Sequence, residues 1–321
     1  MKRLSTIAAL AVAAAFAQPA LAADYPEKPV RLIIPTAAGG SLDTLARLLG
    51  SRLEARLGQA FVIENRPGSN GNTAFEYVAK IKPDGYTLLV ASDGIAINPS
   101  LYKNVRYDPV KSFAPVSLVT TAAQVLVVRP TLNVKTLQEF TALVKQRGKA
   151  ISVASPGSGS AGHLAGTLYQ SETGAHWTHV AYKGGGPAVA DLVGGHVDGL
   201  FVTLAPAVPQ IKAGALVALA VTTPKRSTAL PNVPTIAEAG VPGFDVTNWQ
   251  GVFAPAGTPP QIVEKLSAEI QKIAKEPEIH ARLIDLGFEP VSGSAAELGA
   301  LVQENTTKWA KVIKQSDIAV D

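Results

Sequence analysis

The chain has 321 residues, a formal charge of +4 and no cysteine, which excludes disulfide staples and thiolate metal sites. Its 29 basic residues form no run of the kind that binds nucleic acid or a lipid surface. Gly and Pro together number 51 and punctuate regular elements without forming a low-complexity tract.

Residues 1–22 read as a secretory signal peptide. Lys2 and Arg3 open it, Ile7 to Ala17 is apolar but too short to span a bilayer, and Ala20-Leu21-Ala22 fits small-x-small cleavage. The mature chain is expected in the periplasm, about 299 residues long, with 27 basic against 25 acidic residues. That length buries a sufficient core without cross-links and suits two domains or one large one.

Val30 to Ile34 is the first apolar β run, and Pro35 stops it. Ala37-Ala38-Gly39-Gly40 forms a small-residue turn, and a helix opens at Ser41. Leu42, Leu45, Ala46, Leu49 and Leu53 recur at helical spacing, with Gly58 as the stop. Such a turn aims backbone N–H groups and the positive end of a helix dipole at open space, a ready site for an anion. Strands follow at Ala60–Glu64 and Tyr86–Ala91, with a helix near 73–81 between them. Glu64-Asn65-Arg66-Pro67-Gly68 reads as a structural turn with Arg66 in an ion pair. Asp93 to Thr121, with prolines at 99, 109 and 115, reads as irregular.

The strand Val125–Val128, a helix near 136–147 and the strand Ile151–Ser155 come next. Ile151 to Leu164 then repeats the opening logic: a strand ends at Pro156, Gly157-Ser158-Gly159-Ser160-Ala161-Gly162 turns, and a helix begins near His163. Strands at Trp177–Tyr182, Val197–Val202 and Val217–Thr222 alternate with helices near 162–171, 187–194 and 205–213. Pro224 to Phe244 breaks the pattern again. An apolar run, Val246 to Ala254, leads to a helix over Pro260–Lys275 with Val263, Leu266, Ile270 and Ile273 on one face. A helix at Ala281–Leu286, a strand at Phe288–Val291 and a helix near 295–315 close the chain.

Strand–helix alternation implies α/β architecture, with parallel sheets covered on both faces. The two breaks imply two lobes joined by two crossings, with residues 23–123 and 248–321 in one, 124–247 in the other, and a hinged cleft between. Each turn alone fits ordinary α/β loop chemistry. One in each lobe makes two jaws that could hold a carboxylate through N–H groups and Ser/Thr hydroxyls.

Catalytic and cofactor patterns fail. Gly157, Gly159 and Gly162 match G-x-G-x-x-G, but Val180-Ala181-Tyr182-Lys183 lacks the ribose-binding carboxylate. His163-Leu164 stands where a phosphate loop needs Lys-Ser/Thr, and no G-x-S-x-G elbow exists. His176 and His179, three apart on a strand, face opposite sides and make a poor metal pair. His163 reads as a helix-start residue and Trp249 as core. No cofactor, metal or catalytic group is expected.

The chain closely resembles the Bug/TctC family, the extracytoplasmic solute receptors of tripartite tricarboxylate transporters. The likeness runs from Tyr25-Pro26-Glu27-Lys28-Pro29 nearly to the C-terminus. It includes Pro35 to Asp43, Pro83-Asp84-Gly85-Tyr86, Tyr107-Asp108-Pro109, His163-Leu164-Ala165-Gly166, Tyr182-Lys183-Gly184, Leu230 to Thr235 and Ala254 to Pro259. The resemblance implies a two-lobed Venus-flytrap binding protein (type II-like), monomeric and non-catalytic, delivering a small organic carboxylate to membrane permease subunits. It implies that one loop from each lobe grips the carboxylate. Those loops map onto Thr36, Ala38, Gly39, Gly40, Ser41 and Asp43, and onto Ser155, Gly157, Ser158, Gly159, Ser160 and His163. Asp93, Tyr182, Gly184 and Thr203 map onto other cleft positions.

Departures from the family pattern fall at Thr36 and Ala38, where Phe and Pro are common, at Leu42, and at Val202-Thr203, where Asp-Asn is common. Loss of that carboxylate favours a plain or aromatic acid over an amino acid. The rival readings are a receptor signalling to a membrane sensor and, with less support, a hydrolase using His163 and a serine.

Overall fold

The computed structural model describes residues 25–316; the expected signal peptide lies outside them. The strand β1 (Val30–Ile34) feeds the helix α1 (Ser41–Leu57), which buries Leu42, Leu45, Ala46, Leu49 and Leu53. Gly58 ends α1 at φ 73°, with its N–H on the Glu54 carbonyl, a left-handed stop that suits glycine. Next come β2 (Phe61–Asn65), α2 (Asn72–Val78), β3 (Thr87–Ser92), α3 (Gly94–Leu101) and β4 (Phe113–Val128). The second half runs α4 (Leu137–Arg147), β5 (Ser152–Ser155), α5 (Ala161–Thr173), β6 (Thr178–Ala181), α6 (Gly185–Val193), β7 (Gly199–Thr203), α7 (Leu204–Lys212) and β8 (Val217–Val221). The chain returns through β9 (Thr247–Pro255), α8 (Pro260–Lys275), α9 (Pro277–Asp285), β10 (Glu289–Gly293) and α10 (Ala295–Ser316).

In the first half β1 lies parallel to β2 and β3, while β9 runs antiparallel between β3 and β4 and β10 pairs the outer side of β4. In the second half β5 lies parallel to β6 and β7, and both β7 and β8 pair antiparallel with β4. The 16-residue β4 therefore serves both halves. It pairs β9 from Phe113 to Ala123, then β7 from Gln124 onward.

Helices cover both faces of each half. On one face of the first, Leu45, Leu49 and Leu53 of α1 meet Ile262, Leu266, Ile270 and Ile273 of α8. Each such side chain stabilises the fold by roughly 1.5–3 kcal/mol through burial. Phe75, Val78, Ile95, Leu298 and Val302 cover the opposite face. In the second half Phe140, Tyr169, Trp177 and Phe201 fill one side, and Val189, Leu192, Leu204 and Val208 the other.

Three sequence expectations need correction. Asp93 to Thr121 is not irregular: it holds α3 and the first part of β4. Pro99 sits inside α3, and Pro115 lies where the β4–β9 register shifts, so each proline marks an irregularity within an element. The helix expected at Ala281–Leu286 begins earlier, at Pro277, a residue suited to a helix first turn. His176 precedes β6 and does not share its strand with His179.

Candidate functional site

The two Gly-rich turns face one cavity. It is lined by Pro35, Thr36, Gly40, Ser41 and Leu42 from the first turn and by Pro156, Ser160, Ala161 and Gly162 from the second. Asn70, Phe75, Ser92, Asp93, Gly94, Gln124, Gly185, Thr203 and Asn248 complete the wall. About 70 Å³ of it is open to water, against ~10–15 Å³ needed for one molecule. A further 240 Å³ hollow at Pro35, Thr36, Asn70, Tyr102, Pro156 to Ser158 and Tyr182 adjoins it. A larger groove of 640 Å³ lies elsewhere, between Gln138, Tyr169 and Pro242, and contains none of the turn residues.

The turns share one internal device. Gly39 and Gly159 both sit at φ 79°, a left-handed conformation that suits glycine. The N–H of Gly39 donates to Oδ2 of Asp43 at 3.0 Å, and the N–H of Gly159 donates to Nδ1 of His163 at 2.9 Å. In each turn a side chain four residues ahead ties the loop to its own helix. Both carboxylate oxygens of Asp43 are occupied, since Arg47 and Asn65 also donate to them. Burial alone would raise the Asp43 pKa; the bonds from Arg47, Gly39 and Asn65 outweigh it and hold it low.

His163 stacks on His179, with ring centroids 4.1 Å apart and planes 14° from parallel. Burial, aided by the charge of His179, pushes its pKa down to about 4. It is neutral above that pH, as an Nδ1 acceptor must be. The other nitrogen-bearing pair, Ser155 Oγ and His179 Nε2 at 2.7 Å, has the spacing of a nucleophile and base. Yet Ser155 is 1% exposed, its Oγ also bonds Gly157, and no carboxylate orients either ring among the described residues. That arrangement braces the loop and lacks the third member of a hydrolase triad.

The mouth is bridged in two places. The Ala37 N–H donates to the Lys183 carbonyl at 3.0 Å, and the Tyr102 hydroxyl donates to the Ser158 carbonyl at 2.8 Å. Glycine permits the close approach: a Cβ on Gly186 would lie 2.6 Å from the Ala38 carbonyl oxygen.

Of the residues singled out from sequence, Thr36, Gly40, Ser41, Asp93, Ser160 and Thr203 line the cavity. Gly157, Ser158 and Tyr182 line the adjoining hollow. Ala38, Gly39, Asp43, Ser155, Gly159, His163 and Gly184 shape the turns or the bridge and border neither space. Sequence reasoning missed Asn70, Gln124 and Asn248. Gln124 and Asn248 are amides buried within strands, 1% and 3% exposed, and a buried polar residue in a strand is itself a signal. Asn70 is held by Asn98, whose amide exchanges bonds with the Asn70 side chain and carbonyl at 2.9 and 3.0 Å.

The sequence profile described as tripartite tricarboxylate transporter family receptor matches residues 45–318. Three solved structures are similar throughout. The periplasmic binding protein BugD is 36% identical, covering 92% of this chain and 99% of its own, with a TM-score of 0.88. Rpa4515 of R. palustris, solved with adipate, is 38% identical over 92% of this chain and 99% of its own, with a TM-score of 0.89. MatC of Rhodopseudomonas palustris, solved with bound malate, is 35% identical over 90% and 100%, with a TM-score of 0.85. The fold is thus the α/β periplasmic binding protein fold, in which β4 pairs β9 up to Ala123 and β7 from Gln124.

Proposed function

The chain belongs to the tripartite tricarboxylate transporter receptor family, and on that premise we propose that its cavity captures a small organic carboxylate for delivery to membrane permease subunits. It is a solute-binding protein and not an enzyme. The observation that carries the ligand class is the convergence of two helix N-termini on one cavity that has no Lys, Arg or His in its lining. Such a site holds an anion through N–H groups, hydroxyls and helix dipoles. The acids recorded in the R. palustris relatives, adipate and malate, are of the same class.

We assign ligand contact to Thr36, Gly40, Ser41, Asp93, Ser160 and Thr203, with Gly157, Ser158 and Tyr182 at the mouth. Ala38, Gly39, Asp43, Ser155, Gly159, His163 and Gly184 act by shaping the turns. The lobes are residues 23–123 with 248–321, and 124–247; the partner switch in β4 between Ala123 and Gln124 supports that division. Export by residues 1–22, action in the periplasm as a monomer and hand-over to permease subunits complete the reading. No described helix is long and apolar enough to cross a membrane.

A thermal-shift screen of mono-, di- and aromatic carboxylates tests it, because a ligand that binds only the native state raises its melting point. At least one acid should stabilise the protein. Ser41→Ala should weaken its binding by roughly 1–3 kcal/mol, and Gly40→Val should abolish it by filling the space between the turns. Stabilisation by sugars or peptides but by no carboxylate would refute the reading.

A further inference from the structure

Four buried side-chain atoms of the described residues lack a hydrogen-bond partner, and three of them, Thr36 Oγ1, Asp93 Oδ2 and Gln124 Oε1, belong to residues lining the cavity. Asp93 and Gln124 are 2% and 1% exposed. Leaving such atoms unpaired is costly, most of all for a carboxylate.

Asp93 is also oriented. The Thr120 hydroxyl donates to Gln250 Oε1 at 2.6 Å, Gln250 Nε2 donates to Asn248 Oδ1 at 3.3 Å, and Asn248 Nδ2 donates to Asp93 Oδ1 at 2.7 Å. All three bonds run the same way, so the Asn248 amide cannot turn its oxygen toward Asp93 without breaking the row. Asp93 is thereby addressed as an acceptor on Oδ1, and Oδ2 is left for something in the cavity. Among the lining residues Asp93 alone is ionisable, so no protein cation answers it. Burial pushes its pKa up to about 6, against the Asn248 bond and the lesser pulls of the Ser92 hydroxyl and the Gly94 N–H, which leaves it mostly charged at neutral pH.

We propose that the acid bound here carries, besides the carboxylate held by the turns, a hydrogen-bond donor — a hydroxyl or an ammonium — that is accepted by Asp93 Oδ2. The receptor therefore selects hydroxy- or amino-substituted acids over unsubstituted ones, reversing the preference inferred from Val202-Thr203. The inference rests on the carboxylate-receptor reading and deepens it.

Calorimetry on the purified protein with matched sets tests it: propionate, lactate and alanine; succinate, malate and aspartate; adipate with its 2-hydroxy and 2-amino analogues. In the tightest-bound set the substituted acid should bind at least tenfold more tightly than the plain one, and Asp93→Leu should remove that ratio. Asp93→Asn separates the donors and guards against a misfolded Leu variant, since an amide oxygen still accepts from a hydroxyl but no longer balances an ammonium. A plain acid binding as tightly as its substituted partners would overturn the inference while leaving the receptor reading intact. So would a ratio that survives both substitutions. Failure of every set to bind would instead count against the carboxylate reading itself.

Discussion

The backbone N–H of Gly159 is held 2.9 Å from Nδ1 of His163, so the second turn keeps its shape only while that nitrogen has a free lone pair. The matching bond in the first turn, Gly39 to Asp43, uses a carboxylate held in its charged form. The two jaws are alike in geometry and unlike in their response to acid.

The His163 pKa falls from 6.5 to about 4 on folding, so between those values the unfolded chain binds more protons. The stability His163 contributes is complete above pH 6.5 and is lost as pH falls toward 4. The loss is about 3 kcal/mol at most. Asp93, whose pKa rises from 3.8 to about 6, acts in the opposite sense: its burial cost disappears as pH falls through 6. Urea denaturation of the ligand-free protein from pH 7 to pH 4 should show a shallower acid loss in His163→Gln and a steeper one in Asp93→Asn. Identical profiles for all three proteins would refute both assignments.

Tyr102→Phe removes the hydroxyl that bridges the mouth to Ser158 and leaves the ring in place. The lost bond is worth about 0.5–1.5 kcal/mol, and it exists only when the mouth is bridged. Ligand affinity should fall two- to tenfold, on the order of that energy, with most of the change in the dissociation rate. Stopped-flow fluorescence separates the two rates.

Gly162→Ala places a Cβ 2.4 Å from the Phe201 carbonyl oxygen and 2.9 Å from Pro156 Cδ. Neither neighbour is a flexible side-chain end, so α5 must move off β7. A destabilisation of about 1–3 kcal/mol is expected, the usual cost of overpacking, together with weaker binding at the second turn. A variant of wild-type stability in chemical denaturation would show that the contact relaxes freely.

Thr222, just after β8, ties β4 to the segment that leads into β9. Its Oγ1 accepts from the Gln124 N–H at 3.0 Å and donates to the Val246 carbonyl at 2.7 Å. Thr222→Val keeps the shape and removes both bonds to buried backbone groups. It should cost about 1–3 kcal/mol and raise amide exchange at Gln124 and Val246 ahead of the sheet cores. Protection factors unchanged at both sites would sink this role.

The jaws were legible because a strand, a proline, a small-residue turn and an amphipathic helix each leave a local mark, and they recur at Pro35–Ser41 and Pro156–Ala161. Arg66 pairs with Glu64, and Trp249 is buried, as their contexts implied. The polar row behind the cavity was illegible for the opposite reason. Thr120, Gln124, Asn248 and Gln250 lie far apart in sequence, on β4 and β9, and meet only through antiparallel register, which pairs Thr120 with Gln250. Proline hid α3 and the start of β4, since it marks both breaks and tolerated irregularities. Asp43 and His163 stood in the right loops, but only geometry shows that their polar atoms face inward.

Gln124 stands where β4 changes partners and in the wall of the cavity. A substitution at this one position acts on the junction of the sheet and on the bound solute at once, so its effects on stability and on affinity cannot be varied separately.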